Sequence, residues 1–189
     1  MVLDKEYWEN FYLTNKSNID CSEFCRFVLE FFKDIKIAAV LDCGCGNGRD
    51  SYALSNVYMV DAVDNCGFLP ESKNNVKFYV DDFVNCNTDK YDLIYSRFTF
   101  HSITNEQQTA ILDTINVGSY LVIETRSKQG ENDTVFYGKT HYRNYTDLDY
   151  LKNLLLSKKF KIMYIKEDIN MAKYKNENPI CIRVICKKY

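Results

Sequence analysis

The twelve residues Val40-Leu41-Asp42-Cys43-Gly44-Cys45-Gly46-Asn47-Gly48-Arg49-Asp50-Ser51 constrain the fold more than any other stretch. Ile37 to Leu41 is a short apolar run of the β type, glycines follow at alternate positions, and a helix opens near Arg49. Three of the seven glycines of the chain fall in five positions. Glycine accepts positive φ and lets a ligand approach the backbone closely. A following helix aims free N–H groups at whatever sits in the turn. The stretch therefore predicts a buried strand, a ligand-facing turn and a helix start.

The spacing is G-x-G-x-G, not the G-x-G-x-x-G of dinucleotide folds, which argues against a nicotinamide-dependent dehydrogenase. Val-Leu-Asp-x-Gly-x-Gly-x-Gly resembles motif I of the class I S-adenosylmethionine (SAM) dependent methyltransferases, and Gly46 to Ser51 narrows the resemblance to small single-domain members. The resemblance implies SAM as cofactor, S-adenosylhomocysteine (SAH) as product and no metal. It assigns Asp42, Gly44, Cys45, Gly46, Gly48 and Arg49 to the cofactor turn.

The rest of the chain falls into alternating elements. Residues 4–14 read as a helix with i,i+4 aromatic pairs Tyr7/Phe11 and Trp8/Tyr12. A second helix runs from Asp20 to about Lys33 on an apolar stripe of phenylalanines. Strands are expected at 37–42, 57–64, 76–80, 91–95, 120–123, 160–165 and 180–186. Helices are expected after the glycine turn, between the second and third strands, from Thr104, and over 146–159. The connection 84–90 is too short for a long helix. Thr104 with Gln107 has capping-box spacing. The pattern predicts an α/β fold, a three-layer sandwich around a central, mostly parallel sheet. By resemblance the sheet has seven strands and the last two form an antiparallel pair. One domain spans 1–189, with residues 1–35 as a cofactor lid and 127–145 as a substrate loop.

In a doubly wound sheet the carboxyl end of the second strand lies beside the glycine turn. Asp64 ends that strand, and the resemblance gives it the ribose hydroxyls, with Asn65 beside it; Asp61 is the competing carboxylate but sits inside the strand. The third strand ends in Asp81-Asp82-Phe83, where the family places an acid for the adenine amino group. Asp82-Phe83 matches best, and Asp81 stays open as the alternative. Ser96 and Arg97 follow the fourth strand at the cofactor, and Tyr7, Trp8 and Tyr12 are expected over it, by resemblance to relatives whose N-terminal helix lids the cofactor.

Composition restricts the acceptor. The net charge is −2, so no broad basic field attracts a phosphate backbone, and nucleic acid is disfavoured. The Asn/Asp-Pro-Pro-Tyr and Pro-Cys signatures of nucleic-acid methyltransferases are absent. Eight cysteines without a C-x-x-C pair, two of them in the turn, read as reduced thiols of a cytoplasmic protein. No apolar run approaches 18 residues, so no membrane span or signal core is expected. A monomer or homodimer fits equally.

Both histidines fall in loops on the expected ligand face. His141 is the first choice for general base and His101 its rival. Arginine is scarce, and Arg49, Arg97, Arg126 and Arg143 lie in ligand-face turns. Arg126 and Arg143 suit an anionic substrate group, joined in the substrate site by Tyr142, Glu167 and Tyr174. The set His141-Tyr142-Arg143, Glu167, Tyr174 and 178–183 resembles methyltransferases associated with surface polysaccharides, implying a sugar or glycan-precursor hydroxyl as acceptor. Another metabolite, a thiol, or a metalloid oxyanion (as in tellurite-resistance-type relatives) is the alternative. A non-catalytic SAM-binding module is the second.

Overall fold

The computed structural model describes residues 2–14, 20–130, 142–173 and 176–189. Two helices, α1 (Val2–Thr14) and α2 (Glu23–Phe32), precede β1 (Ala39–Cys43), α3 (Arg49–Leu54), β2 (Met59–Asp64) and β3 (Val76–Val80). Then come β4 (Leu93–Arg97), α4 (Asn105–Thr114), β5 (Tyr120–Arg126), α5 (Leu148–Ser157), β6 (Phe160–Asp168) and β7 (Cys181–Lys188). The seven strands form one sheet in the order β3-β2-β1-β4-β5-β7-β6. β7 runs antiparallel to both neighbours, and the pairs among β1 to β5 are all parallel.

Successive residues of the central strands face opposite layers. Leu41, Ile94, Leu121 and Ile123 pack with Ile111, Leu112, Leu151 and Leu155 of α4 and α5. Val40, Leu93, Tyr95 and Val122 pack with Phe24, Val28 and Phe32 of α2 and Leu54 of α3. The expected three layers are formed in this way. Ser22 caps α2 by accepting from Cys25 N–H, and the Thr104/Gln107 capping box opens α4 as its spacing predicts. One expected helix is missing. Residues 65–75, between β2 and β3, carry none, because Gly67, Pro70 and Asn74, the last at φ +32°, leave no uninterrupted turn. The two last strands pair antiparallel at one edge of the sheet as expected, with β7 inserted between β5 and the outermost β6.

The strand order reverses between β1 and β4, and ligands of open α/β sheets bind outside such a switch point. The two loops there touch: a Cβ on Gly44 would lie 2.0 Å from Thr99 Cγ2. No helix among the described residues is long and apolar enough to cross a membrane.

Candidate functional site

Three left-handed glycines shape the turn after β1, at φ +74°, +54° and +73° for Gly44, Gly46 and Gly48. Each also lies against a neighbour that a side chain would strike: Gly46 meets the Tyr12 hydroxyl of α1, and Gly48 meets Pro70 and Phe78. The turn is pinned to β2 by Gly44 N–H and Cys45 N–H donating to Val63 O at 2.7 and 3.1 Å. Asp64, 8% exposed at the end of β2, receives Gly46 N–H on Oδ2 at 2.8 Å and Cys66 N–H on Oδ1 at 2.9 Å. Burial pushes its carboxyl above the usual range despite both bonds.

A cavity of about 620 Å³ opens over this turn, within the size range of small-molecule sites. At one end it is lined by Asp42, Gly44, Cys45, Asn47, Arg49, Asp64, Asn65, Asp82 and Phe83. Tyr7, Trp8, Phe11 and Tyr12 of α1 form a wall across it, and Glu9 fixes that helix by accepting from Gly67 N–H at 3.0 Å. At the other end stand Arg97, Phe98, Thr99, Arg126, Tyr142, Arg143, Met171, Ala172 and Glu177. The expected cofactor and acceptor groups therefore meet in one space.

Not every expected residue reaches it. Asp81 is exposed and accepts from the N–H of Asp82; Asp82 lines the cavity and caps a short 3-10 turn. Ser96 is buried against the Thr99 hydroxyl, behind the wall. Gly46 and Gly48 shape the turn without lining the cavity. Asp61, inside β2, accepts from Lys90 and the Tyr91 hydroxyl and does not line the cavity. Glu167 accepts from the Ser127 hydroxyl and from Gln129 Nε2 and does not line the cavity. His101 is also outside the lining. The chain turns at Phe98, a non-glycine residue at φ +59°, and tucks His101 inward at 4% exposure. Its Nδ1 accepts from Arg126 N–H at 3.2 Å and faces the Thr125 hydroxyl at 3.2 Å. His141 and Tyr174 lie outside the described residues, as does most of the 127–145 loop.

The floor of the cavity is a buried ionic chain. Asp50 accepts from Ser22 N–H and Oγ at 2.6 and 2.7 Å and from the Tyr95 hydroxyl at 2.8 Å. Arg97 Nε lies 3.9 Å from Asp50 and donates to Glu124 at 3.0 Å. Glu124, fully buried, also accepts from Arg183 Nε at 2.6 Å, and Arg183 donates onward to the Met171 carbonyl. Asp42 is less well served. Among the described residues, the Ser51 hydroxyl alone donates to it, at 2.6 Å. Burial, reinforced by Asp50 and Asp64 and opposed by Ser51 and Arg97, pushes its carboxyl up to about 7. Among the described residues no cluster of three or more metal-ligating side chains occurs.

Glu177, Phe98 and Met171 had no sequence signal of their own. Arg97 and Glu124 sit side by side in the β4–β5 register, and Glu124 faces Arg183 across β5–β7, so strand order exposes the network.

A family profile described as a methyltransferase domain matches residues 17–162. No curated protein matches the chain. Among solved structures, TehB from Haemophilus influenzae is similar with a TM-score of 0.71 at 21% identity, over 96% of this chain and 67% of that one. A SAM-dependent methyltransferase from Anabaena variabilis is similar over 100% of this chain and 96% of that one, with a TM-score of 0.74 at 16% identity. The 1,6-didemethyltoxoflavin-N1-methyltransferase of Burkholderia thailandensis, whose structure holds 1,6-didemethyltoxoflavin and SAH, is similar over 93% and 80%, with a TM-score of 0.67 at 16% identity.

Proposed function

The chain belongs to the methyltransferase domain family, and on that premise we propose that it is a SAM-dependent methyltransferase acting on a small polar acceptor. The observation that carries this reading is Asp64. Each of its oxygens is taken once by a backbone N–H, and an ionised carboxylate offers about four acceptor directions. Asp64 lines the cavity beside the glycine turn, and its remaining acceptor directions suit a pair of vicinal ribose hydroxyls. Asp82 and Phe83 lie one strand further along, suited to an adenine edge and face. Asp42, with no ion-pair partner among the described residues, gives the turn a negative character that matches a cationic ligand.

The cofactor, when bound, supplies an electrophilic methyl group; the residues of this chain hold and orient the partners. Positioning of this kind accounts for a large part of such rate enhancements. α1 acts as the lid, since its Tyr12 reaches the glycine turn and its Glu9 the turn after β2. Residues 127–145 act as the substrate loop. For a hydroxyl acceptor the general base is His141, because His101 does not line the cavity. The acceptor we favour is a sugar or glycan-precursor hydroxyl, as in the surface-polysaccharide-associated type, in the cytoplasm. All eight cysteines are free thiols, which suits that compartment.

Calorimetry of the full chain with SAH, SAM and NAD tests the reading. SAH and SAM are expected to bind and NAD is not. Asp64→Ala is expected to weaken SAH by about 10- to 100-fold, through loss of hydrogen bonds to a charged group. A radiolabelled-methyl assay over sugar nucleotides then tests the acceptor. Tight NAD binding without SAH binding would overturn the assignment.

A further inference from the structure

The acceptor end of the cavity contains a guanidinium that the protein uses only in part. Arg126, the last residue of β5, is 15% exposed in its side chain and lines the cavity. Its Nη2 donates to Glu177 Oε2 at 2.6 Å. Among the described residues none of its other side-chain donors has a hydrogen-bond acceptor, although a guanidinium carries five N–H groups. Arg183 differs, being satisfied by Glu124 and the Met171 carbonyl. None of the unused Arg126 donors is sealed from solvent, and Arg126 lines the cavity, so a ligand there can take them.

The surroundings orient it. Its guanidinium carbon lies 5.6 Å from the centroid of the Phe98 ring, and Phe98 is held in the left-handed region, where a bulky residue is strained. Such strain persists where the fold fixes a functional geometry. Tyr7 of α1 reaches the same place, since its hydroxyl, raised chiefly by burial, also responds to Arg143, Glu177 and Arg126. A planar fork, with one edge on Glu177, matches a second planar carboxylate on the other. The neighbouring Glu177 opposes a dianion more than a monoanion, which favours carboxylate over phosphate.

We propose that Arg126 anchors a carboxylate carried by the methyl acceptor, with Glu177 as the built-in counter-ion that aims the guanidinium. The substrate class is then a hydroxylated carboxylic acid, such as a uronic or aldonic acid unit. This rests on the methyltransferase reading above and narrows it.

The test uses the full chain. SAH binding is measured first by calorimetry. The SAH-loaded protein is then titrated with D-glucuronate and with D-glucose, followed by NMR chemical shifts. Glucuronate is expected to half-saturate at a concentration at least about tenfold lower than glucose. Arg126→Gln is expected to abolish that preference and leave SAH affinity unchanged. Glu177→Gln, which keeps an acceptor on the fork but removes the competing charge, is expected to strengthen glucuronate binding and stands in should Arg126→Gln fail to fold. Equal half-saturation by the two sugars, no saturation by glucuronate, a preference that survives Arg126→Gln, or no response to Glu177→Gln overturns the proposal. Failure of SAH to bind refutes the methyltransferase reading instead, and the same titration of the unloaded chain still tests Arg126.

Discussion

Replacing Asp42 by Asn should stabilise the protein, and by an amount that grows with pH. Asp42 is 2% exposed and, among the described residues, accepts one side-chain hydrogen bond, from Ser51. Asp50 on α3 and Asp64 on β2 face it with like charge; Cys43 and Cys45 flank it, and Arg97 on β4 is the opposing cation. Its carboxyl is pushed up to about 7 from an ordinary value of 3.8. The folded state thus holds the proton more tightly than the unfolded chain. The contribution is neutral below about pH 4, becomes unfavourable by about 1.4 kcal/mol per pH unit up to pH 7, and is constant above. The full shift corresponds to about 4 kcal/mol at pH 8. Asn does not titrate and can still accept from Ser51, so it escapes this term. Asp64 and Glu124 are also pushed up by burial but are present in both chains and cancel to first order. Urea unfolding at pH 5, 6, 7 and 8 measures the difference. With an m-value of about 2 kcal/mol/M, a midpoint gap near 2 M is expected at pH 8, shrinking steadily toward pH 5. A gap that does not change with pH, or a variant no more stable than the parent at pH 8, would refute the reasoning.

Three further outcomes follow from the same geometry. Glu124→Gln leaves Arg97 and Arg183 buried without their shared carboxylate, so urea unfolding should register a loss of about 3–5 kcal/mol; a loss under 1 kcal/mol would mean the two arginines are solvated. Lys159 is exposed at φ +61°, just past the end of α5, so Lys159→Gly should add about 1 kcal/mol and raise the melting temperature by about 2–4 °C. Gly46→Ala combines φ +54° with a Cβ 2.3 Å from the Tyr12 hydroxyl. Thermal melts should show that adding Tyr12→Ala removes the steric part of its damage and leaves a backbone part of about 1–2 kcal/mol.

What could be read from the sequence was local. Val40 to Ser51 announced the turn because three glycines at alternate positions have few other uses. Periodicity placed the ends of the second and third strands, and the family resemblance picked out Asp64 and Asp82 there. Thr104 and Gln107 announced a helix start because they stand at capping-box spacing. The rest depended on pairings between distant segments. Nothing in 181–188 says that β7 slots between β5 and β6, and only that insertion brings Arg183 to Glu124. His101 looked like a ligand-face residue because it follows β4, yet the left-handed Phe98 turns it inward, and a phenylalanine gives no warning of positive φ. Glu177 sits in a polar stretch that only the fold brings to Arg126.

The pattern of satisfied and unsatisfied charge also locates the ligand. Asp50, Arg97, Glu124 and Arg183 form a chain whose charges balance, each member engaged on more than one side. Such a chain needs nothing from outside and serves to fix β4, β5 and β7 under the cavity. Among the described residues Asp42, buried, and Arg126, half-buried, have one side-chain hydrogen bond each. Asp42 lies at the glycine-turn end and Arg126 at the far end of the same cavity. Asp42 weakens the fold increasingly from about pH 4 to pH 7, and Arg126 presents donors to the cavity. On the proposals above, a cationic donor over the glycine turn would offset the first and an anionic acceptor beyond β5 would take up the second. The stability gained in Asp42→Asn should therefore come with weaker SAM binding, as calorimetry at pH 8 would register.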